Sequence, residues 1–356
     1  MQIINRDLIR KDVLDFMDRR QHEQDRKIYE YFEIHPEERP YYNKLWNKIK
    51  ELNEKYLKRE LAVDYFHGIL SYEEMLYIAK FFRYIEDVLA DMYQERVPIP
   101  KDVTLRPISL GKFSAEWQIP SSYVNEHVML YIHGGGFVLG SVNDHRILTA
   151  ALAKELQIKL LSIDYRLAPE NKFPTHLNDC VYAYKWLLSE GLNPQNILIA
   201  GDSAGGNLTL STLLKLKEDH IPLPRGAICL SPVTDLSFTD EIFYMNAKTD
   251  PVLADKGIFW WTDAYIGDHN PRNPLLSPLF GDLKGLPPLL IQTSTSEMLY
   301  GDAERFVVAA KSAGVDIKFQ AWDDMLHVFQ GFGLRRFPEA KEAINNIGEF
   351  VNSLFS

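Results

Sequence analysis

A serine framed by glycines is the feature of this chain that most directly indicates covalent chemistry. The run GDSAGG at residues 201–206 follows an apolar segment that predicts a strand and precedes a segment that predicts a helix. A sharp strand-to-helix turn holds such a serine in a strained conformation, and flanking glycines avoid side-chain clashes within the turn. A phosphate loop is not supported, because no G-K-[ST] sequence follows. We therefore predict that Ser203 is a nucleophile and that the N–H of Ala204, at the helix start, faces an oxyanion.

A second glycine-rich run, HGGGF at residues 133–137, follows another predicted strand. Three consecutive glycines cost backbone entropy, which is reasonable where bare amides must approach a ligand closely. An oxyanion hole has this requirement, so we predict that the N–H groups of Gly134 and Gly135 converge with that of Ala204 on a developing negative charge. We interpret His133 as a residue that braces the loop rather than as a catalyst.

Alternating strand and helix patterns indicate how these two loops are positioned. From about residue 102 the chain has an apparent antiparallel pair at 103–108 and 113–119, followed by six short apolar runs. Segments long enough for crossover helices separate most of these runs, so the pattern predicts a mainly parallel sheet with helices on both faces. The six predicted buried strands are 128–132, 159–163, 196–200, 227–230, 289–293 and 317–321.

Several motifs, in their order along the chain, resemble the hormone-sensitive-lipase-like branch of the α/β-hydrolase family. The resemblance covers roughly residues 102 to 335 and implies an α/β-hydrolase fold, with a mainly parallel central sheet flanked by helices. It also implies a serine carboxylesterase that hydrolyses short- to medium-chain acyl esters, which are small molecules, through an acyl-enzyme without a metal or cofactor. The motifs are HGGGF at 133–137, DYRLAPE at 164–170, GDSAGG at 201–206, SP at 231–232, SPL at 277–279, LPP at 286–288 and the C-terminal His327.

A histidine must accept the serine proton, and in this fold the chain order is serine, acid, histidine. Three of the ten histidines follow Ser203, namely His220, His269 and His327. His220 ends the helix after the serine, and His269 lies in a long connection. His327 lies on a loop just beyond the last predicted strand, where the family's histidine falls, so we predict that it is the general base.

The acid that orients this histidine has more than one candidate. Glu297 comes a few residues after the predicted strand 289–293, at the position where relatives that this chain resembles mostly carry aspartate. Asp302 lies five residues later and is better placed to open a helix, where a carboxylate stabilises the free amides. We predict Glu297, with Asp302 and then Asp324 as alternatives.

Other charged residues of these motifs are interpreted as structural. Asp202 precedes the nucleophile, so its side chain is expected to point away from Ser203 and to brace the turn through hydrogen bonds. Arg166 and Glu170 are expected to form a buried ion-pair network behind the site. Metal binding has no support, because the sequence contains neither H-E-x-x-H nor a Cys/His cluster.

Outside the catalytic motifs, the chain divides into further segments. Of the first 60 residues, 27 are charged, which is a larger share than the 25% of the whole chain. Apolar residues in this segment recur at helical spacing. We predict a charged helical extension over 1–60, a helical cap segment over 61–101 and a catalytic domain over 102–356. An inserted cap segment is expected at about 236–282, before the strand that leads to the acid.

The apolar cap above the serine is expected to line an acyl pocket, whereas most aromatic residues of the N-terminal region are interpreted as core. Residues near 65–68, 81–84 and 259–261 are the candidates for this lining. Two arrangements remain open for the extension. It packs over the cap, which we prefer, or it exchanges with a second subunit in a homodimer.

Composition restricts the functional classes. A net charge of −10 argues against a nucleic-acid partner, whose binding surface should be basic. The two cysteines, Cys180 and Cys229, lie in apolar surroundings that indicate core, which fits a reducing compartment. The N-terminus lacks a signal-peptide pattern, and no uncharged apolar run approaches the ~18 residues that span a bilayer. We expect a soluble, cytoplasmic protein without an integral membrane segment.

Two other functions remain open from the sequence. An amidase or deacetylase would use the same triad and differ in the protonation of the leaving group. A protein from another class, a non-catalytic ligand receptor or scaffold on this fold, would generally lose a triad member. Ser203, an acid and His327 are all present, which favours the enzyme.

Overall fold

The computed structural model describes residues 3–60, 68–124, 126–333 and 336–356, and within these ranges the chain forms an eight-stranded sheet and eleven α-helices. The strands are β1 Val103–Ser109, β2 Ser114–Pro120, β3 Val128–Ile132, β4 Lys159–Ile163, β5 Ile197–Asp202, β6 Gly226–Leu230, β7 Leu289–Ser294 and β8 Ile317–Trp322. The helices are α1 Lys11–Ile34, α2 Arg39–Leu57, α3 Tyr72–Arg96, α4 Val142–Leu156, α5 Thr175–Ser189, α6 Ala204–Glu218, α7 Glu241–Met245, α8 Ile258–Ile266, α9 Tyr300–Ser312, α10 Phe329–Gly333 and α11 Pro338–Phe355.

The sheet is mainly parallel and has the order β1-β2-β4-β3-β5-β6-β7-β8. Strand β2 pairs antiparallel with both β1 and β4, and every other neighbouring pair is parallel. All eight predicted strands are confirmed, with ends that differ by at most two residues. Because the carboxyl ends of parallel strands meet at one edge of a sheet, the loops after β3, β5, β7 and β8 lie together.

Helices cover both faces of the sheet, as predicted. In β3, Met129 and Tyr131 belong to a core packed against α4 and α11, whereas Leu130 and Ile132 belong to the core on the other face, with α5 and α6. Side chains alternate between the two faces of a strand, so strands buried on both faces consist of continuous apolar runs. This burial explains why β3 to β7 could be located from their short apolar runs.

The N-terminal region is helical, as predicted. Helix α1 ends at Ile34, and α2 begins at Arg39 with Pro40 in its first turn, where the missing proline N–H costs no helical hydrogen bond. Helix α3 begins after Ser71, whose Oγ accepts a hydrogen bond from the N–H of Glu74, and the Glu74 carboxylate accepts one from the Ser71 N–H. This is the capping box that the sequence indicates.

Helix α1 packs on the C-terminal part of its own chain. Val13 is buried in a cluster that includes Leu326, and the rings of Phe16 and Phe337 meet edge to face with centroids 5.7 Å apart. The division of the N-terminal region at residue 60 into an extension and a cap stays a prediction, because residues 61–67 lie outside the described residues. The homodimer also stays a prediction.

The long connection between β6 and β7 contains α7 and α8. Phe259 and Trp260 of α8 are buried, and the side-chain amide of Asn53 on α2 donates a 2.6 Å hydrogen bond to the carbonyl of Ala254 just before α8. Both cysteines, Cys180 and Cys229, are buried with free thiols, in agreement with the core that we predict for them. Of the helices described, none is long and apolar enough to cross a membrane.

Candidate active site

Ser203 lies at a strained turn between β5 and α6. Its backbone has φ +52° and ψ −117°, a conformation that residues with a side chain rarely adopt, and its N–H donates a 2.8 Å hydrogen bond to the carbonyl of Leu230 on β6. The turn is so tight that a Cβ at Gly205 would lie 2.0 Å from the carbonyl oxygen of Ile132. Glycine is therefore required at this position.

Helix α6 begins at Ala204, directly after the serine. The first N–H groups of a helix have no partner within it, so the Ala204 amide is available to a ligand at Ser203. Both the turn and the helix start agree with the sequence expectation for this segment.

The loop after β3 requires a correction to the predicted oxyanion donors. The N–H of Gly134 donates a 3.1 Å hydrogen bond to Oδ1 of Asp202, so it is not available to a substrate oxygen. Within the described part of the chain, the N–H groups of Gly135 and Gly136 donate to no other residue, and both glycines lie on the wall of the cavity that contains Ser203. The contact of Gly134 with Asp202 contradicts the prediction of Gly134 as a donor, and the N–H groups of Gly135 and Gly136 are the ones left open on the cavity wall.

Glycine is structurally required at position 136. Its φ is +60°, and a Cβ there would lie 2.3 Å from Cε3 of Trp261. The loop can therefore pass this close to α8 only because residue 136 has no side chain.

His327, on the loop after β8, and Glu297, on the loop after β7, form a hydrogen-bonded pair. Nδ1 of His327 lies 2.8 Å from Oε2 of Glu297, and both side chains are buried. Because an ionised carboxylate only accepts hydrogen bonds, Nδ1 is the protonated nitrogen and Nε2 is left as the basic one. The other oxygen of Glu297 accepts from the hydroxyl of Thr293. The same oxygen accepts a 3.4 Å hydrogen bond from the N–H of Ser294, so the carboxylate is held by three partners.

The electrostatics of His327 favour its protonated form. Burial lowers the pKa of this imidazole, but the hydrogen bond to Glu297 and its negative charge outweigh burial, and Asp250 and Asp202 add to the effect. The pKa of His327 is therefore raised above its ordinary value of 6.5. A raised pKa suits a base that must hold a proton during one step and release it in the next.

The two alternative acids have other partners. Oδ2 of Asp302 accepts hydrogen bonds from the backbone N–H groups of Thr234 and Asp235, at 2.9 and 3.0 Å. Burial, with the negative charge of Asp235, raises the pKa of Asp302 to about 7. Asp324 has a hydrogen bond of 3.5 Å from the hydroxyl of Ser296. Of the three candidates, Glu297 is the one that contacts His327.

Asp202 braces the loops on either side of the serine. Besides the Gly134 amide, its carboxylate accepts a 2.7 Å hydrogen bond from the hydroxyl of Tyr131 and contacts Nε2 of His145 at 3.2 Å. Burial lowers the pKa of His145, but the carboxylates of Asp202 and Asp144 outweigh it and raise the pKa well above the ordinary value. His145 and Asp202 therefore form a buried ion pair, and Asp202 has the bracing role that the sequence indicates.

Arg166 and Glu170 make two separate ion pairs rather than one network. Arg166 pairs with the buried Asp179 at 2.7 Å, and Glu170 pairs with Arg83 of α3 at 2.7 Å. The latter pair ties the loop after β4 to the N-terminal helices.

Ser203 and His327 line one cavity of about 440 Å³. Most of its wall is apolar, and α1, α2 and α3 contribute a large part of it together with α8. Of the predicted lining, Phe82, Trp260 and Trp261 lie on the wall, whereas residues 65–67 lie outside the described residues. The apolar and aromatic residues that line it include Phe16, Met17, Trp46, Phe82, Leu89, Tyr93, Leu139, Trp260 and Trp261.

Three features of the site could not be predicted from the sequence. Helix α1 lines the cavity, although its apolar spacing shows only that one face is buried. His145 has no motif of its own. Asp250 is buried and accepts 2.9 Å hydrogen bonds from the N–H groups of Leu253 and Met298, so it joins the β6–β7 connection to the segment that carries Glu297. The Asp250-Pro251 pair signals a turn but does not reveal this partner.

A metal is not implied by the residues around Ser203. Among the residues that the structure describes, the group with closely spaced ligand atoms is His35, Glu37 and Glu38, within 4.8 Å of one another on the partly exposed turn between α1 and α2. These residues do not line the cavity.

Comparison with known proteins agrees with this geometry. A family profile described as an alpha/beta hydrolase fold matches residues 129–331, which contain the loops after β3, β5, β7 and β8. The chain belongs to the α/β-hydrolase family. The α/β-hydrolase fold that the sequence predicts is thereby confirmed.

Individual relatives show to which branch of the α/β-hydrolase family the chain is similar. An esterase of Acinetobacter venetianus is 39% identical over 253 residues, which are 71% of this chain and 83% of that protein. An acetyl-hydrolase of Streptomyces hygroscopicus is 37% identical over 247 residues, 69% of this chain and 82% of that protein. The crystal structure of an esterase from the bacterial hormone-sensitive lipase family has a TM-score of 0.73 and 35% identity, and covers 87% of this chain and 99% of that chain. The resemblance to the hormone-sensitive-lipase-like branch is therefore confirmed.

Proposed function

We propose that this protein is a serine carboxylesterase that hydrolyses short- to medium-chain acyl esters through an acyl-enzyme. The observation that carries the proposal is the buried Glu297–His327 hydrogen bond beside a cavity that also contains Ser203 at its strained turn. A nucleophile, a base and an orienting acid in this arrangement are the requirements of acyl transfer. The esterases and the acetyl-hydrolase among its relatives support the same reaction class.

In the proposed mechanism, Ser203 Oγ attacks the ester carbonyl while Nε2 of His327 accepts the hydroxyl proton. His327 then donates this proton to the leaving alcohol, which leaves an acyl-serine. Water repeats the sequence: His327 takes its proton, the hydroxide adds to the acyl carbon, and the acid leaves as Ser203 regains its proton. Glu297 remains ionised and stabilises the imidazolium.

We assign the oxyanion hole to the backbone N–H groups of Gly135, Gly136 and Ala204. The first two are unengaged on the cavity wall, and the third begins α6. Each such donor is typically worth about 2.7–4 kcal/mol in the transition state. The Asp202 carboxylate holds the Gly134 amide on the other side of the loop, which fixes the orientation of the two glycines that follow.

A cavity of about 440 Å³ fits a small ester rather than a long-chain lipid. Hydrolysis of an amide by the same residues stays an alternative, since an amide differs in how readily its nitrogen is protonated by His327. A receptor or scaffold without activity is disfavoured, because such a protein has no need for the strained serine or for the buried acid–histidine pair. A cytoplasmic location and a homodimer stay predictions.

The test is replacement of the nucleophile. Ser203→Ala should lower kcat for p-nitrophenyl acetate and p-nitrophenyl butyrate by about 10⁴-fold or more, with an unchanged melting temperature. Ser211→Ala, at a buried serine of α6 outside the cavity wall, serves as the matched control and should keep near wild-type kcat. Near wild-type hydrolysis by Ser203→Ala would refute the proposal.

A further inference from the structure

Charged and amide side chains interrupt the apolar wall of the cavity. Besides Asp144, His145 and Asp202, which form the brace described above, they include side chains of α1, α3 and the turn before α8 that take no part in the proposed acyl transfer. We name four of these the polar wall, namely Arg20, Gln24, Glu86 and Lys256. Gln21 and Arg336 also line the cavity but are not part of this set.

Lys256 is the cation of the polar wall that has no close carboxylate partner among the described residues, whereas Arg20 pairs with Glu86. Its Nζ donates a 3.4 Å hydrogen bond to Oε1 of Gln24, whose side chain is buried. Within the described ranges, no carboxylate oxygen lies within 4.0 Å of this ammonium. An ammonium has three donors, so two N–H groups of Lys256 remain for a ligand.

The anion of the polar wall already has a cationic partner. The Glu86 carboxylate accepts a 3.4 Å hydrogen bond from the guanidinium of Arg20. The same guanidinium lies 5.5 Å from the centre of the Tyr93 ring. The polar wall therefore carries two cations and one carboxylate. Asp25 and Asp255 also act on Lys256 from nearby, but neither lines the cavity.

Lys256 is partly buried, at a position that disfavours its charge. Removal from water lowers the pKa of its ammonium, although the negative charge of Glu86 opposes this effect. A cation in a mostly apolar cavity is stabilised strongly by an anion that reaches it, because the low dielectric strengthens their attraction. An anionic group of the substrate would meet this need.

On the basis of the proposed esterase function, we propose that the polar wall binds a free carboxylate of the substrate. The preferred substrates would then be esters that carry a carboxylate at the far end of the acyl or of the alcohol part. Lys256 supplies the charge, and Gln24 holds its ammonium toward the cavity. The cavity size limits such substrates to short chains.

A purely structural role for Lys256 would have a different consequence. Its hydrogen bond to Gln24 links α1 to the segment before α8, so its loss could loosen the cavity wall. Loosening would affect charged and neutral esters alike. The ratio of kcat/KM for two isosteric esters that differ only in charge separates the two roles.

The experiment uses two pairs of esters with the full-length protein at low ionic strength. For the acyl side, monoethyl adipate is compared with its neutral amide isostere, ethyl adipamate. For the alcohol side, 5-acetoxypentanoate is compared with 5-acetoxypentanamide. Hydrolysis is followed by chromatography for the wild type, Lys256→Met, Lys256→Arg and Lys311→Met, the last an exposed lysine of α9 outside the cavity.

In at least one pair, the wild type should prefer the carboxylate ester by about tenfold or more in kcat/KM, as expected for a charge-assisted hydrogen bond. Lys256→Met should reduce this ratio to about one, whatever common change it causes in kcat/KM for both esters of a pair. Lys256→Arg and Lys311→Met should keep the preference. High salt should weaken it.

A ratio near one in both pairs for the wild type would overturn the polar-wall proposal, and so would an unchanged ratio in Lys256→Met. Neither outcome contradicts the esterase proposal, provided that Ser203→Ala abolishes hydrolysis of the neutral esters. If Ser203→Ala hydrolyses the neutral esters at the wild-type rate, the esterase proposal fails instead.

Discussion

Nδ1 of His327 donates a 2.8 Å hydrogen bond to Oε2 of Glu297, and neither side chain is exposed to bulk solvent. A carboxylate held in this way fixes both the tautomer and the orientation of the ring and leaves Nε2 as the basic nitrogen. Thr293 holds the second oxygen of Glu297, which keeps this side chain in place.

The first prediction concerns the pH dependence of the reaction. His327 must be neutral to accept a proton, and its pKa is raised above 6.5, with Glu297 the strongest raising influence. We therefore expect kcat/KM for a neutral ester to fall as the pH drops through a midpoint above 6.5. In Glu297→Gln the negative charge is lost, so the midpoint should move to lower pH, and kcat should fall by about 10²–10⁴-fold.

The pH–rate profiles of the wild type and Glu297→Gln check this prediction. A neutral ester excludes titration of the substrate. A Glu297→Gln midpoint equal to or above that of the wild type would contradict the assigned pairing.

The second prediction separates Asp302 from Glu297. Asp302→Asn can keep both backbone hydrogen bonds from Thr234 and Asp235, because one oxygen accepts both. We expect Asp302→Asn to retain kcat within about threefold, since it does not contact His327. A loss of kcat comparable to that of Glu297→Gln would make Asp302 the acid.

The same variant should change how stability depends on pH. Asp302 has a pKa of about 7 in the folded protein and an ordinary value of 3.8. A raised carboxyl pKa contributes stability below pH 4, and this contribution is lost as the pH rises toward 7. Melting temperatures of Asp302→Asn should therefore decline less than those of the wild type between pH 4 and pH 7.

Much of the fold could be predicted from the sequence because the relevant signals are local. The strands buried on both faces are continuous apolar runs, and the turn at Ser203 needs glycine for steric reasons. The order of the strands places their following loops at one edge, which brings His327 toward Ser203. The Gly134 error has a different origin, because its N–H is engaged by Asp202 from another strand, and only the packing of β3 beside β5 reveals this contact.

The contribution of α1 to the cavity also could not be predicted. The spacing of Val13, Phe16 and Met17 shows that one helix face is buried, but a periodic pattern does not identify the surface that covers it. Lys256 illustrates the same limit. Its sequence neighbours give no indication that Gln24, more than 200 residues earlier, contacts it.

The third prediction tests the brace beneath the glycine loop. Asp202→Asn removes the negative charge that pairs with His145 and weakens the hydrogen bond from the Gly134 N–H. We expect kcat for a neutral ester to fall by about tenfold or more with a smaller change in KM, because the oxyanion donors are needed most in the transition state.

Tyr131→Phe is the matched control for the Asp202 brace. It removes one hydrogen bond to the same carboxylate but leaves the charge and the Gly134 contact in place. The expected cost is about 1 kcal/mol of stability, with little change in kcat. If Asp202→Asn and Tyr131→Phe have equal effects on kcat, the brace does not act through the glycine loop.

The last prediction concerns the docking of α1. Val13 is buried in a cluster with Leu326, the residue before His327, and Arg10 pairs with Glu339 at 2.6 Å beside this cluster. Val13→Asp places an unpaired charge among apolar side chains, which costs several kcal/mol and should undock the helix. Because α1 forms part of the cavity wall, undocking should shift the preference toward longer acyl chains and lower kcat.

Arg19→Asp, at an exposed position of the same helix, is the control and should behave like the wild type. Rates across a series of p-nitrophenyl esters, together with the native mass of each variant, measure both effects. An unchanged chain-length profile in Val13→Asp would exclude α1 from the substrate site. A change of native mass in Val13→Asp alone would show that the state of assembly depends on the docking of α1, because undocking exposes the apolar cluster around Val13.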